Sequence, residues 1–148
     1  MIGASIALEA SSWIGTRFIY AARTKKTSYS SGGCDCVGLV VGVSNALDLH
    51  PKGICLCSVL PKGRYPKALS RIKMLSKLHR FLYVKESLSL GAVVVFAQDY
   101  GIAHLGIITG YNCNNWFFVH AYIDLGMVVE SSIDKYWGKN LVGIFSLY

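Results

Sequence analysis

A chain of 148 residues, 53% of them hydrophobic, has enough material to bury a core and is expected to form one domain, 1–148. Mean hydropathy is high at +0.41, yet no apolar run reaches the ~20 residues of a membrane span; the richest, 37–47, is broken by Gly42, Ser44 and Asn45. The net charge of +7 is concentrated, with eight cations and no acid between Lys62 and Lys85, a density that fits either a solvated helix face or a surface for an anionic polymer.

The N-terminus lacks the charged lead of a secretory signal. Its first basic residue is Arg17, and Glu9 falls inside the only apolar stretch. Synthesis in the cytosol is therefore expected, with any target outside reached by another route. In that setting five cysteines predict free thiols and not a disulfide framework.

In chain order, residues 5–14 read as a helix, with Ile6, Ala10 and Trp13 at helical spacing, and Gly15 breaks it. Residues 24–33 are polar, basic and glycine-ended, hence a loop. Residues 36–47 fit two descriptions: four valines favour a strand, while length and the trailing Asn45-Ala46-Leu47 favour a helix. The helix is preferred, with Gly38 and Gly42 forming a bare face for close packing on a sheet. Residues 50–63 are irregular. Residues 66–83 predict an amphipathic helix, with Leu69, Ile72, Leu75, Leu78 and Leu82 on one face and Pro66 in its first turn. From Gly91 the texture becomes β-rich, in five short runs at 92–96, 105–109, 116–120, 127–130 and 141–147. Helices first and strands later predict an α+β fold with an antiparallel sheet of about five strands.

The chemistry concentrates in Gly33-Cys34-Asp35-Cys36-Val37-Gly38, read with His104 and His120. A helix beginning at Cys36 would put its thiol at the positive end of the helix dipole, beside unpaired backbone N–H groups able to hold an oxyanion. A cysteine before valines can equally be a small buried hydrophobe. Cys34 competes as nucleophile, but it lies outside the apolar run and reads as a loop residue that could trap Cys36 by oxidation. The histidines are linked by arithmetic. Folding a hairpin about Asn112 sets residue 104 opposite 120, both on one face. One imidazole would then act as base and the other as its orienter; spacing leaves open which. His50 precedes a proline in a loop and His79 sits on the basic helix, so neither has such company.

Four blocks together resemble the NlpC/p60-type cell-wall cysteine peptidases, small papain-like enzymes that cut peptidoglycan stem peptides. They are Trp13-Ile14-Gly15-Thr16-Arg17-Phe18, Cys34-Asp35-Cys36-Val37-Gly38-Leu39-Val40, Ala103-His104-Leu105-Gly106-Ile107 and Val119-His120-Ala121-Tyr122. The segment from Gly126 through Trp137 is similar to a subgroup encoded with tail genes of phages and gene-transfer agents. The resemblance runs in order over nearly the whole chain, leaving about residues 50–85 unaccounted for. It implies a papain-like fold, with the nucleophile at the start of a buried helix packed on the sheet that carries both histidines. It assigns Cys36, His104 and His120 to the catalytic positions, with hydrolysis of an amide between D-glutamate and a diamino acid through a thioester. It places Asp35, Phe18 and Val37 in substrate binding, Asp35 at a position associated with the substrate's free amine; helix capping is its other role. The family usually has tyrosine where Phe18 stands, and many members have serine where Val37 stands. The resemblance implies action at the cell wall, delivery by a phage-like particle and partnership with a tail assembly. No cofactor, metal or specific nucleic acid is expected.

Two rivals stand beside this reading. Cys34-Asp35-Cys36 and Cys55-Leu56-Cys57 form two C-x-C pairs that, with the basic helix, would suit a zinc-stabilised binding module, although structural zinc sites prefer C-x₂₋₄-C. The same thiol could instead serve an acyltransferase or amidase on the same fold.

Overall fold

The valine-rich run that reads as helix or strand is a helix, α2 (Cys36–Ala46). The chain is described here by a computed structural model covering residues 1–60 and 70–148. Asp35 holds extended backbone immediately before α2 and caps it, its Oδ1 accepting the Gly38 N–H at 2.8 Å. Val37, Leu39, Val40, Val41 and Val43 are all fully buried, so α2 is apolar around its circumference and burial overrides the β preference of its valines. Its glycine face does not pack on the sheet as expected. A methyl on Gly38 would collide with the Ala22 carbonyl oxygen, and one on Gly42 with the Trp13 ring. The bare face is therefore a seat for the segment that follows α1 (Ile2–Ser11).

That segment is pinned at both ends. Trp13 is buried with its Nε1–H donated to Glu9 at 3.0 Å, and Lys25 reaches the same carboxylate oxygen at 3.0 Å. The expected loop at 24–33 is closed by a short ladder, β1 (Arg23–Thr24) against β2 (Gly33–Cys34). After α2 comes one helical turn, α3 (Leu56–Val59), across which Cys55 and Cys57 are joined by a disulfide. Their Cα atoms are 5.3 Å apart, a spacing a disulfide can bridge. The expectation of five free thiols thus holds for Cys34, Cys36 and Cys113 only.

The expected helix at 66–83 is α4 (Arg71–Phe81) in its described part; Pro66 and Leu69 lie outside the described residues. Ser70 caps α4 through the Lys73 N–H and bridges to Ile102, which sets the rotation of the helix. Met74 and Leu78 then face the core, while Ile72, two residues from Met74, is turned outward and 78% exposed. Leu82 is extended, and Tyr83 and Val84 form a strand, β3 (Tyr83–Val84), where the sequence suggested the end of a helix.

The sheet has six antiparallel strands: β3, β4 (Val93–Gln98), β5 (Ile102–Asn112), β6 (Asn115–Tyr122), β7 (Met127–Ser132) and β8 (Leu141–Ser146). Their order is β3-β8-β4-β5-β6-β7. The fold is α+β and papain-like, with helices ahead of the sheet. Alternate residues serve two faces. Val93, Val95, Ala103, Leu105, Ile107, Val119 and Ala121 pack with α1 and α2, whereas Val94, Phe96, Ile108 and Phe118 pack under Trp137 of α5 (Lys135–Lys139).

The β5–β6 hairpin turns at Cys113-Asn114, both with positive φ, and starts from the pair Asn112↔Asn115. Its register shifts between Ile108 and Gly110, leaving Thr109 as the extra residue of a bulge. Beyond it the pairs are Ile108↔Phe118 and Ile107↔Val119, where the registered ladder ends.

Candidate active site

Cys36 opens α2 with its thiol almost fully buried, 8% exposed. Backbone groups of Leu105 on β5, and of Val37 and Cys36 itself at the helix start, lie near enough to the sulfur to favour its thiolate. The site therefore forms where the N-terminus of α2 meets β5 one residue past His104. It lies ahead of the point where the β5–β6 ladder begins. Burial, joined by the negative charge of Asp35, pushes the Cys36 thiol up to about 12 against those backbone donors. At neutral pH the sulfur is a thiol.

His104 and His120 share a hydrogen bond, Nε2 of His104 to Nδ1 of His120 at 2.7 Å. The register that produces it differs from the one expected. The ladder beside the site extrapolates to 104 opposite 122, so the histidines are diagonal neighbours and not directly opposed. Imidazoles span that diagonal: the ring centroids are 5.0 Å apart and nearly edge-to-face. Both rings project to the Trp137 face, away from α2, since His104 pairs with Phe96 and His120 stacks within 4.4 Å of Phe118. Trp137 covers them, with ring centroids 5.5 Å from His104 and 5.3 Å from His120. Cys36 on α2 and the imidazoles therefore stand on different sides of the sheet, and of the three only Cys36 and His104 line one pocket. On its far side His120 Nε2 is 2.8 Å from Ser131 Oγ on β7. Burial lowers His104 to about 4, and burial with the neighbouring His104 lowers His120 to about 3. Both rings are neutral at neutral pH.

One pocket gathers Phe18, Asp35, Cys36 and His104 in its walls, together with Tyr20, Gln98, Ile102 and Tyr122. Phe18 is held there by its backbone, which donates to Gly126 at 2.8 Å and bridges to Cys34. Both carboxylate oxygens of Asp35 accept backbone N–H groups, Oδ1 from Gly38 and Oδ2 from Ala21, each at 2.8 Å. The capping role is thus in place, with the carboxylate still at the pocket wall. His120 stands behind His104 and not in the wall. Val37 is wholly buried in the core and also outside the lining. Cys34, expected in a loop, is fully buried in β2 and donates its N–H to Arg17. Burial pushes its thiol, too, up to about 12.

Sequence reasoning missed Ser131, Trp137 and Tyr20. Ser131 was accessible by the arithmetic used for the histidines: β6 and β7 pair His120↔Val129 and Phe118↔Ser131, which puts Ser131 diagonal to His120 on one face. Trp137 was signalled by Asp134, whose Oδ1 accepts the Trp137 N–H at 3.0 Å as a helix cap. His50, near Asp48, and His79, edge-on to Phe145, stay away from the pocket. The two C-x-C pairs do not converge. Cys55 and Cys57 bond each other, and among the described residues no three His, Cys, Asp or Glu side chains gather in the manner of a metal site.

No protein-family model matches the sequence, and no curated protein matches it. Solved structures do match the fold. NlpC1 from Trichomonas vaginalis is similar with a TM-score of 0.65 at 16% identity, over 98% of this chain and 43% of that one. Ly7917, determined with the hydrolyzing product of MDP, is similar with a TM-score of 0.60 at 9% identity, over 97% of this chain and 62% of that one. An N-acetylmuramoyl-L-alanine amidase from Bacteroides uniformis is similar with a TM-score of 0.54 at 12% identity, covering 97% and 96%. The chain thus spans less than two thirds of the first two and nearly all of the third. At these identities what is shared is a fold: that of an NlpC protein and a cell-wall amidase.

Proposed function

We propose that this chain is a cysteine peptidase acting on peptidoglycan stem peptides, with Cys36 as nucleophile, His104 as base and His120 as its orienter. The observation that carries the reading is the His104 Nε2–His120 Nδ1 hydrogen bond at 2.7 Å. Because it occupies Nε2, only Nδ1 of His104 is left to take a proton, and His104, not His120, stands in the pocket wall with Cys36. Both observations support His104, of the two candidates, as the base.

The resting pair is neutral, a raised thiol beside a lowered imidazole. Among the described contacts no hydrogen bond joins the Cys36 sulfur to His104. The Cys36 proton therefore passes to His104 Nδ1 as substrate closes the site, a tightening common in thiol and serine hydrolases. The sulfur attacks the amide carbonyl and the oxygen gains negative charge opposite backbone donors at the start of α2. Collapse breaks the C–N bond, and the amine leaves with the proton from His104. Water then gives a proton to His104 and its hydroxide to the thioester; the C–S bond breaks, the carboxylic acid leaves, and His104 returns the proton to the sulfur to restore the thiol.

The substrate class rests on the sequence resemblance and on the fold shared with NlpC1 and the amidase. The favoured bond is D-glutamyl–diamino acid, with Asp35 in the pocket wall toward the substrate's amine and Phe18 forming the apolar side. Val37 acts only through the packing of α2. The amidase likeness favours a second reading, cleavage of the muramoyl–alanine amide by the same thiol. Association with a phage-like tail, and delivery to the wall by such a particle, rests on the resemblance alone. The exposed cations Lys73, Lys77 and Arg80 on α4 supply affinity for an anionic wall polymer; reversing all three should weaken binding to purified sacculi, and unchanged binding removes that role. The deciding experiment is incubation with defined muropeptides and mass analysis of the products. The peptidase reading expects new ends at D-glutamate, lost in Cys36→Ala and kept in Cys34→Ala; ends at muramic acid select the amidase, and activity in Cys36→Ala refutes both.

A further inference from the structure

Ser131 lies on β7 with its Oγ 2.8 Å from His120 Nε2, the atom left over once Nδ1 has bonded His104. The side chains form one line, His104–His120–Ser131, running from the pocket wall to the sheet edge. Among the described residues the rings packed on His120 besides His104 are Phe118 and Tyr122 on β6 and Trp137 on α5, and Val129 of β7 lies directly opposite it. Among the described contacts no carboxylate reaches it. Glu130, next to Ser131 in sequence, accepts a hydrogen bond from Thr109 at 2.8 Å.

The proton positions along this line are linked. For His104 to accept a proton at Nδ1, its own hydrogen must be on Nε2 and be donated to His120 Nδ1. A neutral His120 accepting there carries its hydrogen on Nε2, aimed at Ser131. The same arrangement serves when His104 becomes an imidazolium, since it then donates from Nε2 as before. In both working states Ser131 is the acceptor for a buried N–H. In the reversed tautomer His120 donates from Nδ1, His104 carries its hydrogen on Nδ1, and His104 can accept nothing from a thiol.

We infer that Ser131 is a positioning residue, whose hydroxyl accepts the His120 Nε2–H and so holds the paired imidazoles in the tautomer that leaves His104 Nδ1 free. The inference rests on the proposed roles of Cys36 and His104. It extends them to a residue that touches neither substrate nor sulfur. Without the hydroxyl, the working tautomer strands a buried N–H, a loss worth roughly 5- to 100-fold in an equilibrium.

The test uses the full chain as Ser131→Ala and Ser131→Thr. Ser131→Ala should lower kcat on muropeptide by roughly 5- to 100-fold with KM nearly unchanged, and Ser131→Thr, which keeps a hydroxyl, should restore most of it. Imidazole ¹⁵N spectra should place the hydrogens of His104 and His120 on Nε2 in the parent and show Nδ1–H rising in Ser131→Ala. Unmoved tautomers in a folded Ser131→Ala overturn the inference, as does failure of threonine to restore a lost rate. The spectra need no substrate. If Cys36→Ala proves active the catalytic reading falls, and the ¹⁵N comparison still decides whether Ser131 sets the tautomer.

Discussion

Acid should unfold this protein through its two central histidines. In the unfolded chain an imidazole titrates near the ordinary 6.5, whereas burial holds His104 at about 4 and His120 at about 3. Between those values the unfolded state binds more protons than the folded one, so stability is complete above the unfolded value and declines as pH falls toward the folded value. At about pH 4.5 the unfolded His104 is almost fully protonated and the folded one mostly not, a difference on the order of 2 to 3 kcal/mol. His120, held lower still, adds a similar amount, its ceiling set by how far the unfolded imidazole has titrated at that pH. Against the ~5–15 kcal/mol of a typical domain this is a large share. The assay is urea unfolding at about pH 7 and about pH 4.5, for the parent and for a His104→Gln/His120→Gln double variant. The parent should lose roughly 2 to 5 kcal/mol more than the variant over that interval. Equal losses would refute the claim that these rings are buried and neutral. Should the double variant fail to fold, imidazole shifts of the parent decide: His104 must not titrate above about pH 5.

Alkali should act through the buried thiols. Cys34 and Cys36 are pushed from 9.0 to about 12, so the folded state keeps protons that the unfolded state releases, and stability falls as pH rises from about 9, measurable by unfolding of the parent against Cys34→Ser. For the same reason iodoacetamide at about pH 8 should label exposed Cys113 well before Cys36 by peptide mass analysis. Asp35→Ala removes acceptors from the Gly38 and Ala21 N–H groups and should cost about 3 kcal/mol or more in chemical denaturation, with Asp35→Asn recovering part. Gly42→Val forces a side chain into the Trp13 ring and should destabilise by about 1–3 kcal/mol in the same assay.

Much of the fold was legible because burial and pattern agree. The β-rich runs after Gly91 became β4 to β8, with β5, β6 and β7 lengthened, β4 shifted toward Gln98 and β8 one residue shorter, and the start of α2 falls on Cys36 as read. The misreadings have physical causes. A bare glycine face signals close packing but not the partner, and on α2 the partner is Trp13 and the Ala22 carbonyl. The phase of α4 depends on Ser70, whose bridge to Ile102 is a tertiary contact that no helical period encodes. A compartment argument cannot see that the cap of α3 sets the Cα atoms of Cys55 and Cys57 5.3 Å apart. Cys34 reads as a loop residue because it lies outside the apolar run; its place in the fold comes from Arg17 and Ile19, whose backbones hydrogen-bond to it.

The histidine pair was found by an argument whose numbers were wrong and whose parity was right. Pairing 104 with 120 assumes an index sum of 224, while the ladder nearest the site has 226, as in Ile107↔Val119, and the turn itself has 227, as in Asn112↔Asn115. Sheet faces depend only on whether the sum is even or odd. A hairpin that kept the odd value of its turn would send His104 and His120 to opposite faces, and no change of rotamer could join them. The single extra residue at Thr109 converts odd to even, and the remaining error of two residues turns direct opposition into a diagonal that two imidazoles can span. The bulge is thus the element on which the site's geometry turns, and its Thr109 hydroxyl is tied across the sheet to Glu130, the neighbour of Ser131. Pattern reading could reach the face of each histidine because side-chain alternation is local. The bulge that makes both faces agree is set by how a particular turn meets a particular ladder, which only the folded chain displays.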